Sequence, residues 1–189
     1  MRQRSVILAS QSPRRSALLE QAGIDFTIRV KPVAEVFPPG MPVTEAPAYI
    51  ARNKAKAVEP LCLPEEVILA ADTLVELEGQ PLGKPRDGQE ALEMLTRLSG
   101  KTHRVITGVC LSCGGKEKVF SEITAVTFRR LSEAQIRYYV DRYRPFDKAG
   151  AYAIQEWIGL IGVERIDGDY YNVMGLPVGR VAEELRAYR

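Results

Sequence analysis

The segment Val67 to Val75, VILAADTLV, limits the fold more than any other stretch of the chain. A nearly continuous apolar run of that length reads as a strand buried on both faces, which occurs where helices cover a largely parallel sheet. One residue breaks the run. An ionised carboxylate at Asp72 is costly in such a strand unless a cation, a metal or hydrogen bonds compensate it, so Asp72 is the first functional candidate. An Asp capping a neighbouring helix is the structural alternative.

A second apolar run, Val6 to Ala9, is followed by Ser10, Gln11 and Ser12, which favour turns, and by Pro13, which suits a first helical position. Ser12 is the expected N-cap of a helix carrying Ala17, Leu18, Leu19 and Ala22, and Gly23 is its expected stop. This is a βα unit. Its turn offers unpaired N–H groups and the positive end of a helix dipole, as an anion site does. Arg14 and Arg15 oppose that dipole, so a purely structural role explains them poorly. Either an anion site or a surface loop with two solvated arginines fits this motif. The shared VILA of the two runs is too short to mark a repeat.

Further along, Asp25 to Val30 reads as a strand. A loop from Lys31 to Pro47 holds Pro32, Pro38, Pro39, Pro42 and Pro47 and also Glu35. Pro47 to Ala57 has helical spacing of Tyr49, Ile50, Ala51 and Ala57, with Arg52, Lys54 and Lys56 interleaved, for which a solvated basic face is the usual alternative. Glu78-Gly79 predicts a tight turn ahead of Lys84-Pro85, and Asp87 to Leu98 predicts a helix. Ser99-Gly100-Lys101-Thr102 is no phosphate loop, because Leu95 stands where a glycine is required and a helix precedes it. Arg104 to Phe128 predicts a long hairpin through Gly114-Gly115. A helix over Leu131 to Tyr143, capped by Ser132, follows. Asp147 to Gln155 is small and glycine-containing, Gly162 to Ile166 reads as a strand, and Gly168 to Pro177 as a turn into a helix over Val178 to Tyr188. These elements predict an α/β protein with a mixed central sheet flanked by helices. No linker separates independent domains, but the Pro-rich loop and the hairpin could divide one domain, residues 1–189, into two lobes around a cleft.

The 189 residues carry a net charge of +2, which sets up no global field for nucleic acid. No apolar segment is long enough for a signal peptide or a membrane span, so the expectation is a cytosolic protein. Cys62, Cys110 and Cys113 form no disulfide framework, and the Cys110–Cys113 pair reads as incidental. The lone histidine, His103, excludes a His-based metal centre and is expected at a surface or sheet edge. What remains is Arg14, Arg15, Lys54 and Lys84 as cations with Glu35 and Asp72 as carboxylates, a set suited to phosphoryl chemistry.

LASQSPRR, ARNKAKAV, AADTLV, GKPRD, LSGKTHRVITGV, DKAGAYAIQ and GDYYNVMGLP run in order along the whole chain. Together they resemble the Maf family of nucleoside triphosphate pyrophosphatases, a group with an inosine-triphosphatase-like fold. The resemblance implies hydrolysis of a nucleoside triphosphate to the monophosphate and pyrophosphate with a divalent cation, Mg²⁺ or alternatively Mn²⁺. It implies Asp72 as the catalytic carboxylate, Ser10, Arg14, Arg15, Lys54 and Lys84 on the phosphates, and Glu35 with Asp72 on the metal. Arg14, Thr73 and Gln155 fall where the family sets base preference, and Thr73 with DKAGAYAIQ resembles the branch acting on dTTP and UTP. A homodimer, with neither nucleic acid nor membrane as partner, completes these expectations. The competing reading is a nucleotide-sensing or nucleic-acid-binding regulator of cell division without turnover.

Overall fold

The structure, a computed structural model, describes residues 5–188. The first βα unit forms as its sequence dictates. Strand β1 (Val6–Leu8) is fully buried and helix α1 (Pro13–Gln21) starts on its proline. The helix stops in a Schellman arrangement, with Gly23 N–H on Glu20 O, Ile24 N–H on Leu19 O and Gly23 in the left-handed region. After β2 (Phe26–Ile28), the Pro-rich loop leads into α2 (Ala46–Val58). Strand β3 (Val67–Leu77) and β4 (Gln80–Leu82) form a hairpin whose turn residues Glu78 and Gly79 both have positive φ, as a type I′ turn requires. Then come α3 (Gly88–Leu98), β5 (Thr102–Cys113), β6 (Lys116–Phe128) and α4 (Glu133–Tyr143). The chain ends with α5 (Trp157–Gly162), β7 (Val163–Asp167), α6 (Tyr170–Met174) and α7 (Val178–Leu185). Short α5 and α6 were not foreseen, since five or six residues carry too little periodicity to read.

All seven strands join one mixed sheet, ordered β2-β1-β3-β5-β6-β7 with β4 on β3. The pairs β1–β2 and β1–β3 are parallel, while β3–β4 and β6–β7 are antiparallel. The two VILA runs lie side by side: Val6, Ile7 and Leu8 face Val67, Ile68 and Leu69. Every residue of β3 is buried except half-buried Thr73. No helix among the described residues is long and apolar enough to cross a membrane.

The chain divides into two compact units. The first holds the chain up to Asp72, Thr107–Glu122 and everything from Gly175, and the second holds Thr73–Ile106 and Ile123–Met174. In the first, Ala51, Ala55 and Val58 of α2 pack with Ile7, Ala9, Ile68, Ala70 and Cys110. Their small size lets the helix backbone close on the sheet: a Cβ at Gly108 would lie 2.0 Å from Ala48 N, so only glycine fits there. The buried stripe of α2 is therefore Ile50, Ala51, Ala55 and Val58, and Tyr49 is 37% exposed instead of central. In the second unit, α3 and α4 supply Leu95, Leu98, Ile136 and Tyr139 to a core with Val75, Val105 and Phe128.

Two further sequence expectations change in this fold. His103 is 2% exposed, with Nε2 2.7 Å from Tyr152 Oη and its ring edge-on to Phe128 and Tyr152, so it is a core residue and not a surface one. Ser12 occupies the N-cap position of α1 but its side chain caps nothing. Cys110 and Cys113 are free thiols; three residues apart on a strand they point to opposite faces, and burial pushes the Cys110 thiol up to about 12.

Candidate active site

Parallel pairing sets the first wall. Past the end of β1, Ala9 N–H still donates to Leu69 O at 2.8 Å, which holds buried Ser10 beside β3. Ser10 Oγ accepts from Ser12 N–H at 3.2 Å and from Arg15 Nη1 at 3.0 Å. With both lone pairs used, the hydroxyl has only its proton left to offer a further partner. Arg15 Nε donates to Gly175 O at 2.8 Å. Its guanidinium is thus buried, with two neutral oxygens among its acceptors. Burial lowers its affinity for its proton, Asp72 offsets part of that, and Arg14 adds to it. The arginine stays charged regardless, since its ordinary value lies so high.

Lys54 forms the second wall. Its position continues the i, i+4 series of Ile50 and Val58, so it lies on the buried stripe of α2 between apolar neighbours. Lys54 Nζ donates to Asp72 Oδ1 at 2.7 Å and to Glu35 Oε1 at 2.6 Å, so one ammonium bridges a carboxylate from the buried strand and another from the exposed loop. Arg52, by contrast, pairs with Glu117 at 2.7 Å, and Lys56 is exposed. The solvated face therefore holds for those two residues and fails for Lys54.

Asp72 is 7% exposed. Desolvation raises its carboxyl above the ordinary value; Lys54 and Arg15 pull it down, and Glu35 pushes it up again. The net direction is upward, so burial outweighs two nearby cations. A carboxylate placed at that cost and kept beside cations can accept a proton at neutral pH more readily than an ordinary aspartate.

Ser10, Arg15, Glu35, Lys54 and Asp72 thus come together within the first unit, where Arg14 is half-buried. Thr73 follows Asp72 on β3. Lys84, exposed after β4, and Gln155, exposed ahead of α5, belong to the second unit. Sequence reasoning singled out no residue of GDYYNVMGLP, yet the Gly175 carbonyl from that stretch fixes Arg15. A backbone acceptor has no side-chain signal. Among the described residues no group of three or more His, Cys, Asp and Glu could hold a metal. The Glu35 and Asp72 pair fits a hard cation that takes one or two protein carboxylates and fills its remaining positions with phosphate oxygens and water, as Mg²⁺ does.

The family model described as Maf-like protein matches residues 5–188. A dTTP/UTP pyrophosphatase of Bacteroides fragilis is 50% identical over 182 residues, covering 96% of this chain and 94% of that one. The proteins of the same name from Cytophaga hutchinsonii and Porphyromonas gingivalis are 49% and 46% identical, covering 95% and 97% of this chain and 82% and 94% of theirs. Among solved structures, the Staphylococcus aureus Ham1 protein superposes with a TM-score of 0.51 at 15% identity, over 98% of this chain and all of that one. That likeness concerns the fold.

Proposed function

The chain belongs to the Maf-like protein family, and from that premise we propose that it is a pyrophosphatase that hydrolyses dTTP and UTP to the monophosphate and pyrophosphate. The relatives named for this activity support the reading, and one observation in the site carries it: a desolvated carboxylate, Asp72, on the same ammonium as Glu35 and close enough to Arg15 to pull on its charge. A protein that only bound polyanions would gain nothing from an expensive negative charge at that point.

Water attacks the α-phosphorus. A bond from the water oxygen to phosphorus forms as the bond from phosphorus to the bridging oxygen of pyrophosphate breaks, and Asp72 takes one water proton while the other stays on the monophosphate. Arg15, Lys54 and the Ser10 hydroxyl meet the phosphate oxygens and offset the charge that develops on the leaving group. Arg14 extends this cationic lining along the triphosphate. Thr73 and Gln155 meet the base, since a Gln amide donates and accepts together and so matches the adjacent polar groups of a uracil-type edge. Glu35 and Asp72 would hold Mg²⁺, which supplies further positive charge to the polyphosphate. Such an enzyme works on the free nucleotides of the cytosol.

Incubation with Mg²⁺ and each of dTTP, UTP, CTP and GTP should release monophosphate and pyrophosphate from the first two fastest. Excess EDTA should stop the release, and added Mg²⁺ or Mn²⁺ should restore it. Orthophosphate with a diphosphate product would move the cleaved bond, and full turnover in EDTA would remove the metal from the reading.

A further inference from the structure

Gln155 stands at the tip of a tight turn, Ala153 to Glu156, closed by Glu156 N–H donating to Ala153 O at 3.0 Å. Residues 151–154 are buried and Gln155 alone comes out. The turn is clamped from both ends by one phenol. Tyr139, fully buried on α4 and stacked on Tyr143, accepts from Ala153 N–H at 3.1 Å and donates to the Glu156 carboxylate. Its hydroxyl thus cross-links the first and last residues of the turn that carries Gln155.

Two more contacts immobilise the same segment. A Cβ at Gly159 would lie 1.7 Å from Ile154 O, so α5 rests directly on the carbonyl preceding Gln155. Upstream, Gly150 N–H donates to Gly83 O at 3.0 Å and its Cα closes on the Val75 side chain. The segment is thereby tied to the residue before Lys84 and to the strand of Thr73. Lys148 Nζ lies 3.5 Å from Glu156 Oε1, an ion pair that holds the carboxylate beside the phenol.

We propose that Tyr139, acting with Glu156, is the positioning residue for base selection: its hydroxyl fixes the Ala153–Glu156 turn so that the Gln155 amide meets a uracil-type edge in one orientation. The proposal rests on the reading of Gln155 as a base-contacting residue. A hydrogen-bonding site rejects a mismatched base only while its polar groups are held in place. Once the turn shifts, the amide no longer stands in register with the uracil edge and meets a cytosine edge, whose donor and acceptor are exchanged, no worse.

The test is the ratio of kcat/KM for UTP to that for CTP, in the full chain, for the wild type, Tyr139→Phe, Glu156→Gln and Gln155→Ala, with melting temperature and hydrogen exchange of the Ala153 amide measured on each. Tyr139→Phe keeps the ring and removes only the clamp; it should lower the ratio about tenfold and speed Ala153 exchange. Glu156→Gln leaves an oxygen for the phenol and should retain most of the ratio. General destabilisation slows both substrates alike and leaves the ratio unmoved. If Gln155→Ala lowers the ratio while Tyr139→Phe does not, the positioning role is overturned and the reading of Gln155 stands. If Gln155→Ala leaves the ratio unchanged, both fall together. Should Tyr139→Phe fail to fold, Glu156→Ala must reproduce the lowered ratio, and a retained ratio there equally overturns the proposal.

Discussion

Asp72 in the first unit and His103 in the second are both nearly inaccessible, and burial acts on each against its charged form. Around Asp72 the chain places cations: Lys54 in contact, Arg15 within reach, and Glu35 sharing the ammonium. Around His103 it places Tyr152 and Phe128, and burial alone drives the imidazole down to about 4. The histidine is therefore neutral at ordinary pH and the folded chain tolerates it as an aromatic with one hydrogen bond. The aspartate is kept ionisable at a cost. Equal burial thus separates a structural group from a working one by what surrounds it.

The largest test of that difference is Asp72→Asn. The amide cannot take a proton from water, so turnover should fall by roughly 10²–10⁴-fold, the usual contribution of a positioned base. Its effect on stability should run the other way. A folded carboxyl raised above its unfolded value stabilises the fold while protonated and loses that contribution as pH rises through the raised value. Once ionised, Asp72 therefore opposes folding, and above the raised value the neutral variant should melt at or above the wild-type temperature. A variant that melts much lower while still turning over would make Asp72 a structural residue.

His103 gives the opposite pH dependence. Its folded value, about 4, lies below the unfolded value of roughly 6.5, so the unfolded chain binds more protons in that window and stability is lost as pH falls through it. The slope should approach about 1.4 kcal/mol per pH unit. With a single histidine in the chain, none other contributes. Denaturant unfolding between pH 6.5 and 5 should show the slope in the wild type and a flatter profile in His103→Gln, whatever that variant's absolute stability. A parallel profile in both would remove burial of a neutral imidazole as the cause.

Lys54→Gln sharpens the contrast from the side of the partner. Lys54 lowers the Asp72 carboxyl, so removing it should raise that carboxyl further. The rising limb of kcat/KM against pH should then move to higher pH, as expected for loss of a cation in contact. An unmoved limb in a variant that still turns over would mean that another group titrates.

How much of this was readable in the sequence follows the same division between local and distant causes. Both VILA strands, the βα turn, the hairpins at Glu78-Gly79 and Gly114-Gly115 and the cap of α4 depend on neighbours in the chain, and all of them form. The helix stripe of α2 was legible in part: Lys54 sits in register with Ile50 and Val58, a spacing that argues against a solvated face, while Tyr49 falls outside the buried stripe. His103 could not be read, because Tyr152, which covers it, is far along the chain. Nor could the Gly175 carbonyl, which any residue would supply in chemistry if not in conformation.

The two serines that precede helices carry the smallest and most local prediction. Ser132 accepts from Gln135 N–H at 3.3 Å while Gln135 Oε1 accepts from Ser132 N–H at 2.8 Å, a complete capping box for α4. Ser12 has the extended backbone of an N-cap, but in place of capping α1 its own N–H is committed to Ser10 Oγ, the oxygen that also takes Arg15. The turn of the first unit is arranged around Ser10, leaving the first N–H groups of α1 without a side-chain cap from Ser12, as suits a helix start that receives an anion. Ser132→Ala should therefore cost about 1 kcal/mol, the usual worth of a cap, and Ser12→Ala only a few tenths. Denaturant melts of the two variants measure this directly, and equal losses would mean that the α1 turn is an ordinary capped helix start.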